Sequence, residues 1–156
     1  MRGTGYYTHP DCWKHEMGAG HPECPQRLDV IEDRLLISGV ADGLLRRDAP
    51  LASMADLALA HDAAYLDQLR GMTLRLQEDA QAGGPSHASV DVDTSLNVHT
   101  WQALLRGAGA ALAATDAVLC GELRNAFCAV RPPGHHAERN KAMGFCFVNH
   151  VAIAVR

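Results

Sequence analysis

Between Thr100 and Arg131 a long helix pattern runs straight into an apolar strand pattern, and few folds accommodate that succession. Trp101, Leu104, Leu105, Ala108, Leu112, Thr115, Val118 and Leu119 recur at three- and four-residue steps, which places them on one helical face. Gly121 is the C-terminal stop that such a face predicts. Gly107, Ala108, Gly109, Ala110 and Ala111 carry so little side chain that the helix can lie close against a sheet. Asn125 to Arg131 reads NAFCAVR, a short apolar run between polar residues, as expected of a parallel strand buried on both faces. Arg131-Pro132-Pro133-Gly134 breaks it. A strand of that kind needs helices over each face, so the pattern predicts an α/β fold with right-handed crossovers. In such folds ligands sit at the carboxyl ends of the strands. The loop after Arg131 is at one of those ends.

The rest of the chain is compatible with that frame. Thr4 to Thr8 is β-prone and reads as an opening strand. His9 to Pro25 is rich in Pro, Gly, His and Cys without an apolar period, which predicts a long loop. From Arg27 a helix carries Leu28, Ile31, Leu35 and Leu36 on one face until Gly39 stops it. Leu57-Ala58-Leu59-Ala60-His61 is ambiguous and compatible with a short strand. Asp62 reads as the N-cap of a helix with Tyr65, Leu66 and Leu69. Residues 81–97 form a second polar loop, and Phe145 to Arg156 predicts a helix starting near Asn149. No repeat or linker divides the 156 residues, so a single domain over 1–156 is expected.

Composition narrows the function. At 47% hydrophobic and 5% aromatic, the chain suits helices packed on a buried sheet better than an all-β sandwich. A net charge of −4 leaves no basic footprint for nucleic acid and no polybasic patch for a membrane. No stretch approaches the length of a membrane span, and Met1 to Tyr7 lacks the apolar core of a signal peptide. Five cysteines without a CxxC spacing predict free thiols in a reducing cytoplasm.

Nine histidines are more than packing needs, and the segment from Arg131 to His150, RPPGHHAERNKAMGFCFVNH, holds the densest polar chemistry. Imidazole titrates near neutrality and serves as base and then acid, so adjacent histidines suit a site that moves two protons. A bare HH dipeptide is more often an exposed loop pair. Here a Pro-Pro-Gly turn restricts the backbone before it, and Gly144-Phe145-Cys146-Phe147 follows. A glycine beside an aromatic at a loop end is a common way to build a narrow apolar slot, whereas Phe147 and Val148 read as core.

RPPGHHAERNKAMGFCFVNH resembles the signature of the histone deacetylase family, which also takes in acetoin-utilisation and acetylpolyamine amidohydrolase proteins. HPECPQRL, from His21 to Leu28, resembles that family's first active-site loop. Asp93-Thr94-Ser95-Leu96-Asn97 resembles the second loop of its class II-like members. The three stretches follow the family's order across essentially the whole chain. The resemblance implies a three-layer arginase/deacetylase-like α/β fold, with a parallel sheet flanked by helices. It implies a zinc-dependent amide hydrolase that removes acetyl groups from acetyl-lysine or acetylpolyamine. Carried over, His136 is the general base and His135 assists it. Gly144 and Phe145 are substrate-binding walls of the acyl-lysine tunnel, and Asp93 is a rim carboxylate for substrate backbone. Arg27 lines an internal cavity or makes a structural salt bridge.

The cofactor implied is Zn2+, held by two aspartates and a histidine. Those ligands are expected beyond Arg156, so the chain is expected to hold no metal ligand and to be an incomplete N-terminal portion, truncated on its C-terminal side and inactive alone. An unpaired strand edge and an uncovered apolar face are expected with it. Three other readings stand beside this one. A catalytically inert interaction module with the same fold predicts that the chain is soluble and folds cooperatively alone. An arginase-like binuclear hydrolase shares the sheet, but the PPGHHA and GFCF segments argue against it. Alternative chemistry would come from a zinc site among Cys12, His15, His21 and Cys24, or from Cys128 or Cys146 paired with His136. A homo-oligomer is left open.

Overall fold

The computed structural model describes residues 3–156, so the Met1–Tyr7 reading lies in part outside the described residues. In chain order the elements begin with β1 (Thr4–Thr8), α1 (Asp11–Lys14), α2 (Gln26–Ile37), a 3-10 turn (Val40–Gly43) and β2 (Leu44–Asp48). They continue with α3 (Met54–Leu57), α4 (Ala63–Gln81), β3 (His87–Ser89), β4 (Ser95–Asn97), α5 (Thr100–Leu119), β5 (Asn125–Cys128) and α6 (His150–Ala154). Three strands form a parallel sheet in the order β2-β1-β5, with Thr4 opposite both Leu44 and Asn125.

Strand side chains alternate between faces, and β1 shows how that builds three layers. Tyr6 points to one side, into a core with Cys12 of α1, Leu28 of α2 and Ala129. Tyr7 points to the other, against Ala110, Ala114 and Ala117 of α5. A third core joins α4 and α5 through Leu66, Leu69, Leu104 and Ala108, and takes in Phe147, Val148 and Ile153 from the last segment. The two glycines predicted as helix stops, Gly39 and Gly121, have φ of 72° and 77°, the left-handed backbone that glycine adopts without steric cost.

The small residues of α5 permit close approach, as expected. A Cβ added to Gly109 would fall inside the carbonyl oxygen of Pro50 and the backbone N of Ala52, and backbone cannot step aside cheaply. Gly109→Ala is therefore expected to destabilise by about 1–3 kcal/mol. Gly71 in α4 is the control, since its Cβ would meet only the end of the Arg75 side chain, at 3.4 Å. Gly71→Ala is expected to be neutral or to gain up to about 1 kcal/mol from helix propensity. Urea unfolding of both variants checks the contrast, and equal stabilities would refute the close approach.

Several expectations need correction. Leu57 to His61 is not a strand. Met54–Leu57 is a helix, started by a capping box in which the Ser53 hydroxyl accepts the Asp56 N–H and the Asp56 carboxylate accepts the Ser53 N–H. The second edge of the sheet is instead β2, whose LLRRD has no strong apolar pattern because Leu45 stands 47% exposed. The long loop over 9–25 contains α1, and the loop over 81–97 folds into a β3–β4 hairpin with Ala88 opposite Leu96. On α2 only Leu28 is buried; Ile31 and Leu35 are half-buried and Leu36 is exposed. Asp62 does precede α4, but its side chain makes no cap and pairs with Arg139 at 2.6 Å. Among the described residues β5 pairs only with β1. A groove of about 560 Å³, lined by residues such as Ala111, Val118, Cys128, Val130 and Val155, lies beside it.

Candidate functional site

The site is built on the chain that leaves β5. Arg131 follows at the strand end, fully buried, and joins Pro132 through a cis peptide bond. A buried guanidinium is costly unless paired and hydrogen-bonded throughout. Its Nε and Nη2 donate to the two carboxylate oxygens of Glu23, each at 2.6 Å. Its Nη1 donates to the carbonyls of Cys12 and His15 at 3.0 and 2.8 Å. One side chain thus ties the long N-terminal loop to the start of the PPGHH turn. Arg27 meets the same carboxylate from solvent, at 3.1 Å, so the salt-bridge account of Arg27 holds, while the residue also lines the cleft described next.

His135, His136, Gly144, Phe145, Asp93 and Arg27 line one cleft of about 460 Å³. It opens at the carboxyl end of β5, where a parallel sheet is expected to place ligands. The two imidazole rings lie 4.3 Å apart, centre to centre, and both are solvent-exposed. Gly144 lies against His136: a Cβ there would come 3.0 Å from the ring, and its φ of 57° already favours glycine. Phe145 is the one non-glycine residue with positive φ, 70°, among the described residues. A bulky side chain rarely adopts that backbone unless neighbours hold it.

Those neighbours come from the other two loops. The Phe145 N–H donates to the Thr94 hydroxyl at 3.0 Å, and that hydroxyl donates to the Asp93 carboxylate at 3.0 Å. The His21 ring stands edge-on to Phe145 at 4.7 Å. With its Nδ1 accepting the Glu23 N–H at 3.1 Å, its Nε2 donates to the Asp93 carbonyl at 3.2 Å. The loops that carry HPECPQRL, DTSLN and GFCF therefore meet at one wall.

The other proposed chemistries find no support in this geometry. Among the described residues no group of three or more His, Cys, Asp or Glu could hold a metal ion. His15 is bonded to the Thr100 hydroxyl at 2.9 Å, and burial together with the Arg131 charge lowers its pKa to about 3. Cys12, His15, His21 and Cys24 thus do not form a zinc site. The Cys128 thiol donates to the Ala110 carbonyl at 3.5 Å, and burial pushes it up to about 11. The Cys146 thiol donates to the Gly144 carbonyl at 3.3 Å and burial raises it too. Neither thiol is placed to ionise and act as a nucleophile.

Glu23, Arg131 and Thr94 are neighbours of the cleft that sequence reasoning left without a role, and His21 entered it only as a ligand of the alternative zinc site. A signal existed for Arg131: a guanidinium at the end of an apolar run needs a carboxylate partner wherever it is buried. Which carboxylate it takes depends on a contact across 108 residues.

A family model described as the histone deacetylase domain matches residues 21–156. The chain is 38% identical over 137 residues to the histone deacetylase-like amidohydrolase of Pseudomonas aeruginosa, covering 88% of this chain and 33% of that protein. It is 34% identical to a probable deacetylase of Archaeoglobus fulgidus, covering 98% and 40% respectively. It is 36% identical to the human polyamine deacetylase HDAC10, covering 97% and 23%. Among solved structures, the HDA15 HD domain superposes with a TM-score of 0.83 at 29% identity, covering 99% of this chain and 42% of that one. That likeness identifies the three-stranded sheet and its helices as part of an arginase/deacetylase-like α/β fold. The chain spans less than half the length of each of these relatives. On the extent of the family match and these identities, the chain belongs to the histone deacetylase family.

Proposed function

We propose that the protein of which this chain is the front part removes acetyl groups from acetylated amines, either acetyl-lysine in a peptide or an acetylpolyamine. The observation that carries this reading is the convergence of His135, His136, Gly144, Phe145 and Asp93 on one cleft at a strand's carboxyl end. His136 takes the proton of the attacking water and later delivers it to the departing amine. His135, whose ring centre lies 4.3 Å away, supplies electrostatic and hydrogen-bonding help. The Phe145 face and Gly144 pack on the methylene stem of the substrate, and Asp93 accepts hydrogen bonds at the rim. The reading includes a zinc ion, but the described residues do not fit one by themselves. Its ligands are expected from residues outside this chain. It also places the protein in a reducing cytoplasm, in keeping with five free cysteines; no helix among the described residues is long and apolar enough to cross a membrane.

The test is acetate release by the full-length protein from an acetyl-lysine peptide and from acetylspermidine, before and after chelation. Release from at least one of them, abolished by chelator and restored by zinc, is the expected result. A folded, zinc-supplemented protein that hydrolyses neither would overturn it.

A further inference from the structure

The tandem histidines face a wall whose shape depends on one unusual backbone. Phe145 sits at φ 70°, and its amide has a specific partner, the Thr94 hydroxyl at 3.0 Å. Thr94 is completely buried, so that hydroxyl has no water to fall back on, and removing it would leave the Phe145 N–H without its acceptor. The same hydroxyl turns its proton to the Asp93 carboxylate at 3.0 Å. One oxygen therefore fixes an aromatic wall on one side and an anionic rim on the other. His21 closes the arrangement, with its ring edge on Phe145 and its Nε2 toward the Asp93 carbonyl.

We infer that Thr94 is a positioning residue for substrate, a hydroxyl clamp that holds Phe145 in its left-handed conformation and aims the Asp93 carboxylate across the same cleft. Thr94 does not itself line the cleft. It acts through two residues that do. The clamp sets where the apolar stem of an acylated amine lies relative to His136, so it governs binding rather than proton transfer. In this respect the inference rests on the deacetylase reading of the cleft, whereas the clamp itself is a property of the fold.

The isosteric pair Thr94→Val and Thr94→Ser separates hydroxyl from bulk. In the full-length, zinc-loaded protein, T94V is expected to raise KM for an acetyl-lysine peptide about 10-fold, the cost of one lost buried hydrogen bond. The pH profile of kcat should stay unchanged, because His136 is untouched. T94S keeps the oxygen and is expected to stay within about twofold of the parent. Amide hydrogen exchange at Phe145 supplies a readout free of activity: protection there is expected to fall about 10-fold or more in T94V and to persist in T94S. Thr94→Ala also lacks the hydroxyl and carries the same expectations if the valine variant does not fold. Unchanged Phe145 protection in T94V or T94A, or loss of it in T94S, overturns the clamp. Lost protection with unchanged KM in an active enzyme overturns its role in substrate binding. A parent protein that hydrolyses no acylated amine rejects the deacetylase reading, and the exchange data then decide the clamp alone.

Discussion

On the proposed deacetylase reading, His136→Ala in the full-length protein is expected to lower kcat by about 10²- to 10⁴-fold on whichever acetylated amine is hydrolysed. The basis is the proposed role of His136 and the engagement of its neighbours. Among the described residues, the other titratable side chains lining the cleft are His135, Asp93, Arg27 and Glu23. Arg27 is a cation, and Glu23 is committed to Arg131 and Arg27. Asp93 is engaged by the Thr94 hydroxyl at the rim. Only His135 is near, and its ring points 57° away from the plane of His136. His135→Ala is expected to lose less, and KM to move little in either variant, because the proposed reading gives the substrate stem to Phe145 and Gly144 and not to the imidazole rings. Steady-state kinetics across pH checks this. An H136A variant within about threefold of the parent would show that the proton moves elsewhere.

The largest expected loss of stability comes from the Arg131–Glu23 pair. Both side chains are at most 2% exposed, and their nitrogen and oxygen atoms meet at 2.6 Å. Glu23→Gln leaves a buried guanidinium without its counter-charge. Arg131→Met leaves a buried carboxylate with the exposed Arg27 at 3.1 Å and the buried His15 ring at 3.6 Å, and two carbonyls that lose their donor. Removing one partner of such a pair typically costs about 3–5 kcal/mol. The double variant E23Q/R131M is expected to be less unstable than the sum of the two singles, since neither charge is then left alone. Urea unfolding of the four proteins measures the coupling. Strict additivity would show that the two side chains do not depend on each other.

How much of this was legible beforehand varies with the range of the interactions. The α5 helix, the presence of a strand after it and the break at Pro132 were readable because periodicity and turn chemistry act within a few residues. The burial expected of that strand was not met: Asn125 and Phe127 are exposed. β2 was not readable. An edge strand half-open to solvent has no alternating pattern to display, and only its pairing with β1, forty residues earlier in the chain, makes it a strand. Leu57 to His61 failed in the opposite direction, where a Ser53–Asp56 capping box outweighed an apolar run that suits either structure. In the site, the residue types of the tandem histidines and GFCF announced themselves. The partners Glu23, Thr94 and His21 did not, because their roles lie in contacts between loops far apart in sequence.

By itself, then, the sequence determined the family and the α/β character, and it singled out the two histidines proposed to move protons, since residue type and local spacing carry that information. The tertiary structure alone decided that three distant loops share one wall, that Arg131 is neutralised by Glu23, and that Phe145 is held at positive φ by the Thr94 hydroxyl. The physical reason is that burial makes polar partners obligatory, while the choice of partner is made only when the chain closes on itself.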